Sequence, residues 1–91
     1  MEKTLKIALK NKYGLHVRPS TAIVKLTGKY HAKITVGVEG GEPVDAGNIM
    51  MLMTLGAPQG TVLEFHADGD DAEEAIAEIQ ELVEGRFGGI E

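Results

Sequence analysis

The chain has 91 residues, of which 43% are hydrophobic, and a formal net charge of −5 at pH 7. A chain of this size has room for one domain and can bury roughly 60% of its unfolded surface. Because it contains no cysteine, disulfides, thiolate zinc sites and thiol nucleophiles are excluded. No stretch approaches the ~20 apolar residues of a membrane span, and no apolar signal-peptide core follows Met1, so we expect a cytoplasmic protein without membrane insertion.

The charge is distributed unevenly along the chain. Residues 1–38 carry eight basic residues and one acid, a net charge of +7, whereas residues 39–91 carry one basic residue and thirteen acids, a net charge of −12. A basic half can attract an acidic protein surface or a nucleic acid. We expect no nucleic-acid partner, because aromatic residues are few, the lysines are scattered and no nucleic-acid motif is present.

The first third of the chain predicts a strand followed by a helix. Apolar and polar residues alternate over residues 5–10, which is typical of a strand with one buried face. The segment Asn11–Gly14 indicates a short polar turn. Apolar residues at helical spacing then predict a helix from about Val17 to Thr27, with Pro19 in its first turn and Gly28 marking its end.

The middle of the chain predicts a hairpin, a short helix and another strand. Alternation over residues 34–38, turn residues and a brief return to alternation at residues 43–45 indicate the hairpin. The Met-rich segment from Asn48 to Leu55 predicts about two turns of helix, ended by Gly56. Residues 60–67 alternate again and predict the last strand.

A longer helix is expected near the carboxyl end. Asp70 is predicted to cap this helix while Glu73 reaches back in a capping box, and Gly85 is expected to end it. Its predicted buried stripe comprises Ala72, Ala75, Ile76, Ile79, Leu82 and Val83. The predicted element order is therefore β-α-β-β-α-β-α. Since the strands and helices are each apolar on one side, we expect a two-layer α+β sandwich whose four-stranded sheet is covered by helices on one face.

The segment Gly14-Leu15-His16-Val17-Arg18-Pro19 is the most informative part of the sequence. An imidazole is partly uncharged near neutral pH, and its free ring nitrogen can attack phosphorus. A guanidinium binds phosphate oxygens through paired hydrogen bonds, and the unpartnered N–H groups at a helix start attract anions. His16 is thus a candidate phosphoryl acceptor, and Arg18 a candidate for stabilising the phosphoryl group.

More ordinary interpretations of these residues also exist. Taken alone, a histidine is more often a surface residue or a satisfied hydrogen bonder, and an arginine is more often a solvated charge. His31 and His66 lack a comparable setting and are expected at surface or strand positions. The three histidines are not spaced as metal ligands, and no carboxylate lies at ligand spacing from His16, so we expect no metal site.

The segment Ile49-Met50-Met51-Leu52-Met53 contains more apolar residues than a short helix can bury on one side. We expect Leu52 and Leu55 to face the core. Ile49, Met50 and Met53 would then form an adaptable apolar patch for meeting protein partners. The alternative, that all of these residues fill the core, is equally compatible with the periodicity.

Three motifs together resemble the histidine-containing phosphocarrier (HPr) family of the phosphoenolpyruvate-dependent phosphotransferase system. They are Gly14-Leu15-His16-Val17-Arg18-Pro19; Ile49-Met50 with Met53-Thr54-Leu55-Gly56-Ala57; and Gly60-Thr61 followed by Ala67-Asp68-Gly69-Asp70-Asp71-Ala72-Glu73-Glu74-Ala75. The resemblance covers nearly all 91 residues as one phosphocarrier domain. It implies an open-faced β-sandwich of four antiparallel strands and three helices.

The resemblance also implies a function. His16 would accept a phosphoryl group on Nδ1 from enzyme I and pass it to an enzyme IIA domain for sugar uptake, and Arg18 would be the active-site arginine. Thr21, Ile49, Met50 and Met53 fall at positions that meet partners. The protein would be a stoichiometric carrier, not an enzyme, without a cofactor, and we expect a monomer.

One departure from the family pattern concerns regulation. Many members carry Lys-Ser before the Ile-Met pair, and that serine is the target of a regulatory kinase, whereas this chain has Gly47-Asn48. Asparagine can cap a helix but cannot be phosphorylated, so we expect no regulatory phosphoserine at this position.

Other functions stay open on the sequence alone. A carrier of the nitrogen-related regulatory branch would have a closely similar sequence. A regulatory module that binds partners without transferring phosphate would have little need of both His16 and Arg18. A hydrolase resembling acylphosphatase would require an arginine-bearing phosphate loop, and no convincing loop of that kind is present.

Overall fold

The computed structural model describes all 91 residues. Its elements in chain order are β1 (Glu2–Ala8), α1 (Val17–Thr27), β2 (Lys33–Val38), β3 (Val44–Asp45), α2 (Ile49–Met53), β4 (Val62–Asp68), α3 (Ala72–Glu84) and α4 (Arg86–Gly89). The predicted order β-α-β-β-α-β-α is confirmed, and one short additional element follows it. No helix is long and apolar enough to cross a membrane.

The four strands form one antiparallel sheet in the order β1-β4-β2-β3. Strand β4 lies between β1 and β2, and its Phe65 pairs with Leu5 on one side and with Val36 on the other. Phe65 and Val36 are fully buried. The expected four-stranded antiparallel sheet is confirmed, although β3 has only two residues.

Helices cover one face of the sheet and solvent meets the other. The covered face and the helices share a core of 19 buried hydrophobic residues, which includes Leu63 and Phe65 of β4 and Ile79 of α3. At alternate positions β4 places Glu64 and His66 on the open face, with 3.2 Å between the Nε2 atom of His66 and the Glu64 carboxylate. The structure is therefore an α+β open-faced sandwich, with its core between helices and sheet.

The predicted cap of α3 is wrong. The residue before the helix is Asp71, not Asp70, and no side chain caps the helix start. The Asp71 carboxylate instead accepts hydrogen bonds of 2.8 Å from the main-chain N–H groups of both His31 and Ala32, just before β2. Two N–H donors from a loop distant in sequence thus occupy the carboxylate that could otherwise have capped the helix. The local sequence around the helix start gives no sign of them. Glu73 lies toward Lys3 of β1, at 3.7 Å.

The chain turns back after α3. Gly85 ends that helix as expected, but Arg86 and Phe87 have φ values of 53° and 55°, and Gly88 and Gly89 are also left-handed. A left-handed conformation costs roughly 1–2 kcal/mol for a non-glycine residue. Burial of the Phe87 side chain, which is 5% exposed, offsets much of this cost. The resulting short helical turn, α4, is a fourth helix that the sequence did not predict.

Candidate functional site

His16 lies at the start of α1. It is the N-cap residue, with φ −94° and ψ −168°, and its side chain forms no capping hydrogen bond. Its carbonyl accepts from the N–H of Ser20 at 3.0 Å, whereas the N–H groups of Val17 and Arg18 form no backbone hydrogen bond and Pro19 has none to offer. Two free donors at the positive end of a helix thus lie next to the imidazole.

The two ring nitrogens of His16 differ in their surroundings. Nε2 is buried and has no hydrogen-bond partner. Nδ1 makes no hydrogen bond within the protein and is not buried as Nε2 is, and the residue as a whole is half-buried, so Nδ1 is the nitrogen open to solvent. Of the two nitrogens, Nδ1 is the one that an incoming electrophile can reach.

Arg18 is exposed and follows His16 by two residues. It takes part in none of the five ion pairs of the structure. The first turn of α1 contains no acidic residue. The guanidinium of Arg18 is therefore free to bind an anion at the start of α1.

The backbone before His16 is held by contact with a second loop. Gly14 has φ +65°, and a Cβ atom at this position would lie 2.1 Å from the carbonyl oxygen of Ala57. The same carbonyl accepts from the N–H of Leu15 at 2.9 Å, and the Leu15 side chain is buried. The segment leading to His16 is therefore fixed against the loop between α2 and β4.

Tyr13 adds an aromatic group that the sequence pattern did not indicate. Its ring meets the His16 ring edge-on, with 6.3 Å between centroids, and its side chain is 65% exposed. The Nζ atom of Lys12 lies 5.4 Å from the Tyr13 ring centroid. A single aromatic residue in a polar turn has no distinguishing pattern, so only the structure reveals that it borders His16.

Helix α2 carries the apolar residues singled out from sequence. Leu52 is fully buried, whereas Met50 is 74%, Met51 40% and Met53 38% exposed. Ile49 is half-buried. Exposed apolar surface is thus formed mainly by the three methionines, and Met51 joins the residues expected there. The helix ends at Met53, two residues earlier than expected.

Asn48 caps α2. Its side-chain oxygen accepts a hydrogen bond of 3.1 Å from the N–H of Met51. An asparagine in this position satisfies one of the free donors at the helix start, as a serine would.

The methionine surface lies beside α1. The hydroxyl of Ser20, one turn into α1, points to the sulfur of Met53 at 3.7 Å. Thr21 is half-buried, and its hydroxyl donates to the carbonyl of Val17 at 2.8 Å. Val17 itself is 55% exposed. Exposed apolar side chains thus lie on both helices, Val17 on α1 and the methionines on α2, and the two helices contact each other at Ser20 and Met53.

His31 and His66 lie away from this group. His31 is exposed in the turn before β2, and His66 is on the open face of the sheet. No group of three or more His, Asp or Glu side chains is arranged to hold a metal ion. The arrangement around His16 combines one accessible nucleophilic nitrogen, one unpaired guanidinium and free helix N–H groups, which is suited to holding a phosphoryl group.

Comparisons with known proteins agree with this arrangement. The family described as "PTS HPr component phosphorylation site" matches residues 3–85. Phosphocarrier protein HPr of Pseudomonas aeruginosa is 37% identical over 83 residues, which cover 91% of this chain and 92% of that protein. The multiphosphoryl transfer protein of Salmonella typhimurium is 34% identical over 82 residues, 88% of this chain but only 22% of that longer protein.

A solved structure supports the same relationship. The crystal structure of HPr-C-His from Thermoanaerobacter tengcongensis has a TM-score of 0.89 and 42% sequence identity, and the match covers 94% of this chain and 96% of that one. The expected resemblance in both sequence and fold is confirmed. This chain therefore belongs to the HPr family of the phosphotransferase system, and it is a phosphocarrier rather than a catalytic enzyme.

Proposed function

We propose that His16 accepts a phosphoryl group on Nδ1 from enzyme I and passes it to an enzyme IIA domain for sugar uptake. The observation that carries this proposal is the contrast between the two ring nitrogens, since Nε2 is buried without a partner and Nδ1 meets solvent at the start of α1. A group on Nδ1 can be approached first by one protein and then by another.

The transfer requires one bond to form and one to break. The lone pair of Nδ1 attacks phosphorus while the bond between phosphorus and the donor atom of enzyme I breaks, and that electron pair leaves with enzyme I. Nε2 keeps its proton, so the phosphorylated ring is a good leaving group in the next step. There a nucleophile of the enzyme IIA domain attacks phosphorus, and the electron pair returns to Nδ1.

Arg18 and the start of α1 stabilise the charge on the phosphoryl oxygens in this proposal. The guanidinium has no carboxylate partner to give up, and the N–H groups of Val17 and Arg18 have no other acceptor. Prepositioned donors of this kind need little rearrangement during transfer.

The proposed partner surface is formed by exposed and half-buried residues of α1 and α2. It consists of Val17, Thr21, Ile49, Met50 and Met53. Methionine side chains adapt to differently shaped surfaces, which suits a carrier that meets a donor and an acceptor in turn. The name of the Salmonella relative, a multiphosphoryl transfer protein, supports a role in passing phosphoryl groups between several sites.

We further propose that the protein acts in the cytoplasm as a monomer. It carries no regulatory phosphoserine at position 48, because that residue is Asn48. Sedimentation of the purified protein tests whether it is a monomer. Incubation with a serine kinase that acts on carriers of this family tests whether the segment around position 48 stays unphosphorylated.

Labelling with phosphoenolpyruvate tests the central step. Incubation with labelled phosphoenolpyruvate and the cognate enzyme I is expected to add one acid-labile phosphate per chain. His16→Ala is expected to take no label, while the matched control His66→Ala, on the open sheet face, is labelled like the wild type. Label that persists in His16→Ala would contradict the assignment.

A further inference from the structure

We propose that Asn11 is a positioning residue for phosphoryl transfer, and that its side-chain amide fixes the backbone that orients His16. This inference rests on the proposed function and extends it to a residue five positions before the acceptor. From sequence, Asn11 appeared only as the first residue of a polar turn.

Asn11 is a polar side chain in an unusual place. It is 0% exposed. Its Nδ2 atom donates to the carbonyl oxygen of Gly14 at 2.6 Å and to the main-chain oxygen of Glu91 at 2.9 Å. The amide thus connects the loop before α1 with a segment eighty residues away in the chain.

The bond to Gly14 leads directly to His16. The Gly14 carbonyl also accepts from the His16 N–H at 3.1 Å, so one oxygen receives donors from Asn11 and from His16. That carbonyl belongs to the peptide plane between Gly14 and Leu15, one residue before the peptide that leads into His16. Fixing this peptide plane restricts the backbone conformation at His16 and therefore the direction in which its imidazole points.

The bond to Glu91 holds the other side of the loop. The Glu91 main-chain oxygen also accepts from the Tyr13 N–H at 2.6 Å. The Tyr13 ring in turn meets the ring of His16 edge-on. Asn11 therefore controls both the backbone that precedes the acceptor and the aromatic residue beside it.

Stability alone does not account for this buried amide. The Oδ1 atom of Asn11 is buried without a hydrogen-bond partner, and an unpaired buried acceptor is unfavourable. Both oxygens that Nδ2 contacts keep another donor when the amide is removed, namely the N–H groups of His16 and Tyr13. An apolar side chain would avoid the unpaired oxygen, so the amide contributes orientation more than stability.

Two substitutions of Asn11 test the inference. Asn11→Leu keeps a side chain branched at the same carbon and removes both the donor and the unpaired oxygen, and Asn11→Ala removes them without adding volume. The readout is the rate of phosphorylation by the cognate enzyme I, measured over a range of carrier concentrations. We expect kcat to fall about 100-fold, the effect of a misplacement of about 1 Å, with KM unchanged because Met50 and Met53 are untouched.

A destabilised control separates positioning from general loss of stability. Ile79→Val removes one methyl group from the fully buried face of α3 and is expected to lower the thermal midpoint without changing kcat or KM. Either Asn11 variant transferring at the wild-type rate while folded would overturn the inference. Wild-type protein that takes no phosphate at all would instead overturn the proposed function, and this inference with it.

Discussion

Gly14 and Ala57 lie in two loops that approach so closely that position 14 has no space for a side chain. A Cβ atom there would lie 2.1 Å from the Ala57 carbonyl oxygen, and the glycine has φ +65°. The N–H of Leu15 donates to the same oxygen. The position of His16, two residues after Gly14, therefore depends on a loop more than forty residues further along the chain.

Gly14→Ala is expected to lower the free energy of unfolding by at least about 3 kcal/mol, because backbone strain and the clash with Ala57 add together. Chemical denaturation measures the change. Gly40→Ala is the matched control: Gly40 has φ +81°, but a Cβ atom there meets nothing within 4 Å. It should cost only about 1 kcal/mol from the backbone. Equal losses in the two variants would show that the contact with Ala57 does not matter.

Local sequence patterns predicted much of the fold. The helix from Val17 to Thr27 has the predicted bounds, because Pro19 and Gly28 act within a few residues of the helix ends. The four strands follow from alternation, which reflects one buried face. These features are predictable because they are determined by residues that are close together in the sequence.

Contacts between distant segments were not predictable in this way. The Asp71 carboxylate pairs with N–H groups forty residues earlier, and Asn11 bonds to Glu91 across eighty residues. The left-handed turn at Arg86 and Phe87 exists because it buries the Phe87 ring. Each of these features depends on what lies nearby in space. The site residues His16 and Arg18 stood out in the sequence, whereas Tyr13, whose ring meets that of His16, and Asn11, which bonds to the Gly14 carbonyl, did not.

The contacts of Asp71 and Glu78 predict how stability changes with acid. The N–H groups of His31 and Ala32 lower the pKa of Asp71, and hydrogen bonds from Lys29 and Tyr30 lower the pKa of Glu78. A lowered folded-state pKa contributes stability that is present above the ordinary carboxyl values of 3.8 and 4.5. That stability is lost as pH falls through the folded-state values.

Thermal unfolding followed from neutral pH into this acidic range measures the effect. The wild-type midpoint should fall steeply with acid, and Asp71→Asn and Glu78→Gln should each show a lower midpoint near neutral pH and a shallower fall. Parallel curves for wild type and variants would contradict the assignment. Glu84→Gln is the control, since Glu84 is an exposed carboxylate of α3 with no ion pair.

Substitutions of Met50 and Leu52 distinguish an effect on partner binding from an effect on stability within one short helix. Met50 is 74% exposed and Leu52 fully buried. Met50→Ala should leave the free energy of unfolding within about 0.5 kcal/mol of wild type and raise KM for enzyme I roughly tenfold. Leu52→Ala should cost about 2–5 kcal/mol of stability. An unchanged KM for Met50→Ala would remove this residue from the proposed partner surface.

The cap of α2 predicts a graded series at position 48. The Asn48 side chain accepts from the Met51 N–H, so Asn48→Ala should cost about 1 kcal/mol. Asn48→Ser should cost less, because a hydroxyl can accept the same bond. Urea unfolding ranks the three proteins, and a serine variant no more stable than the alanine variant would contradict a capping role.

Phosphoryl transfer through His16 is tested most sharply by finding which of its ring nitrogens carries the phosphoryl group. The protein, labelled with ¹⁵N in its histidines, is phosphorylated by enzyme I and phosphoenolpyruvate, and the ring nitrogens are assigned by two-dimensional ¹H–¹⁵N NMR. Because Nε2 is buried, we expect phosphate on Nδ1 of His16 and none on His31 or His66. Phosphate on Nε2, or on another histidine, would contradict it.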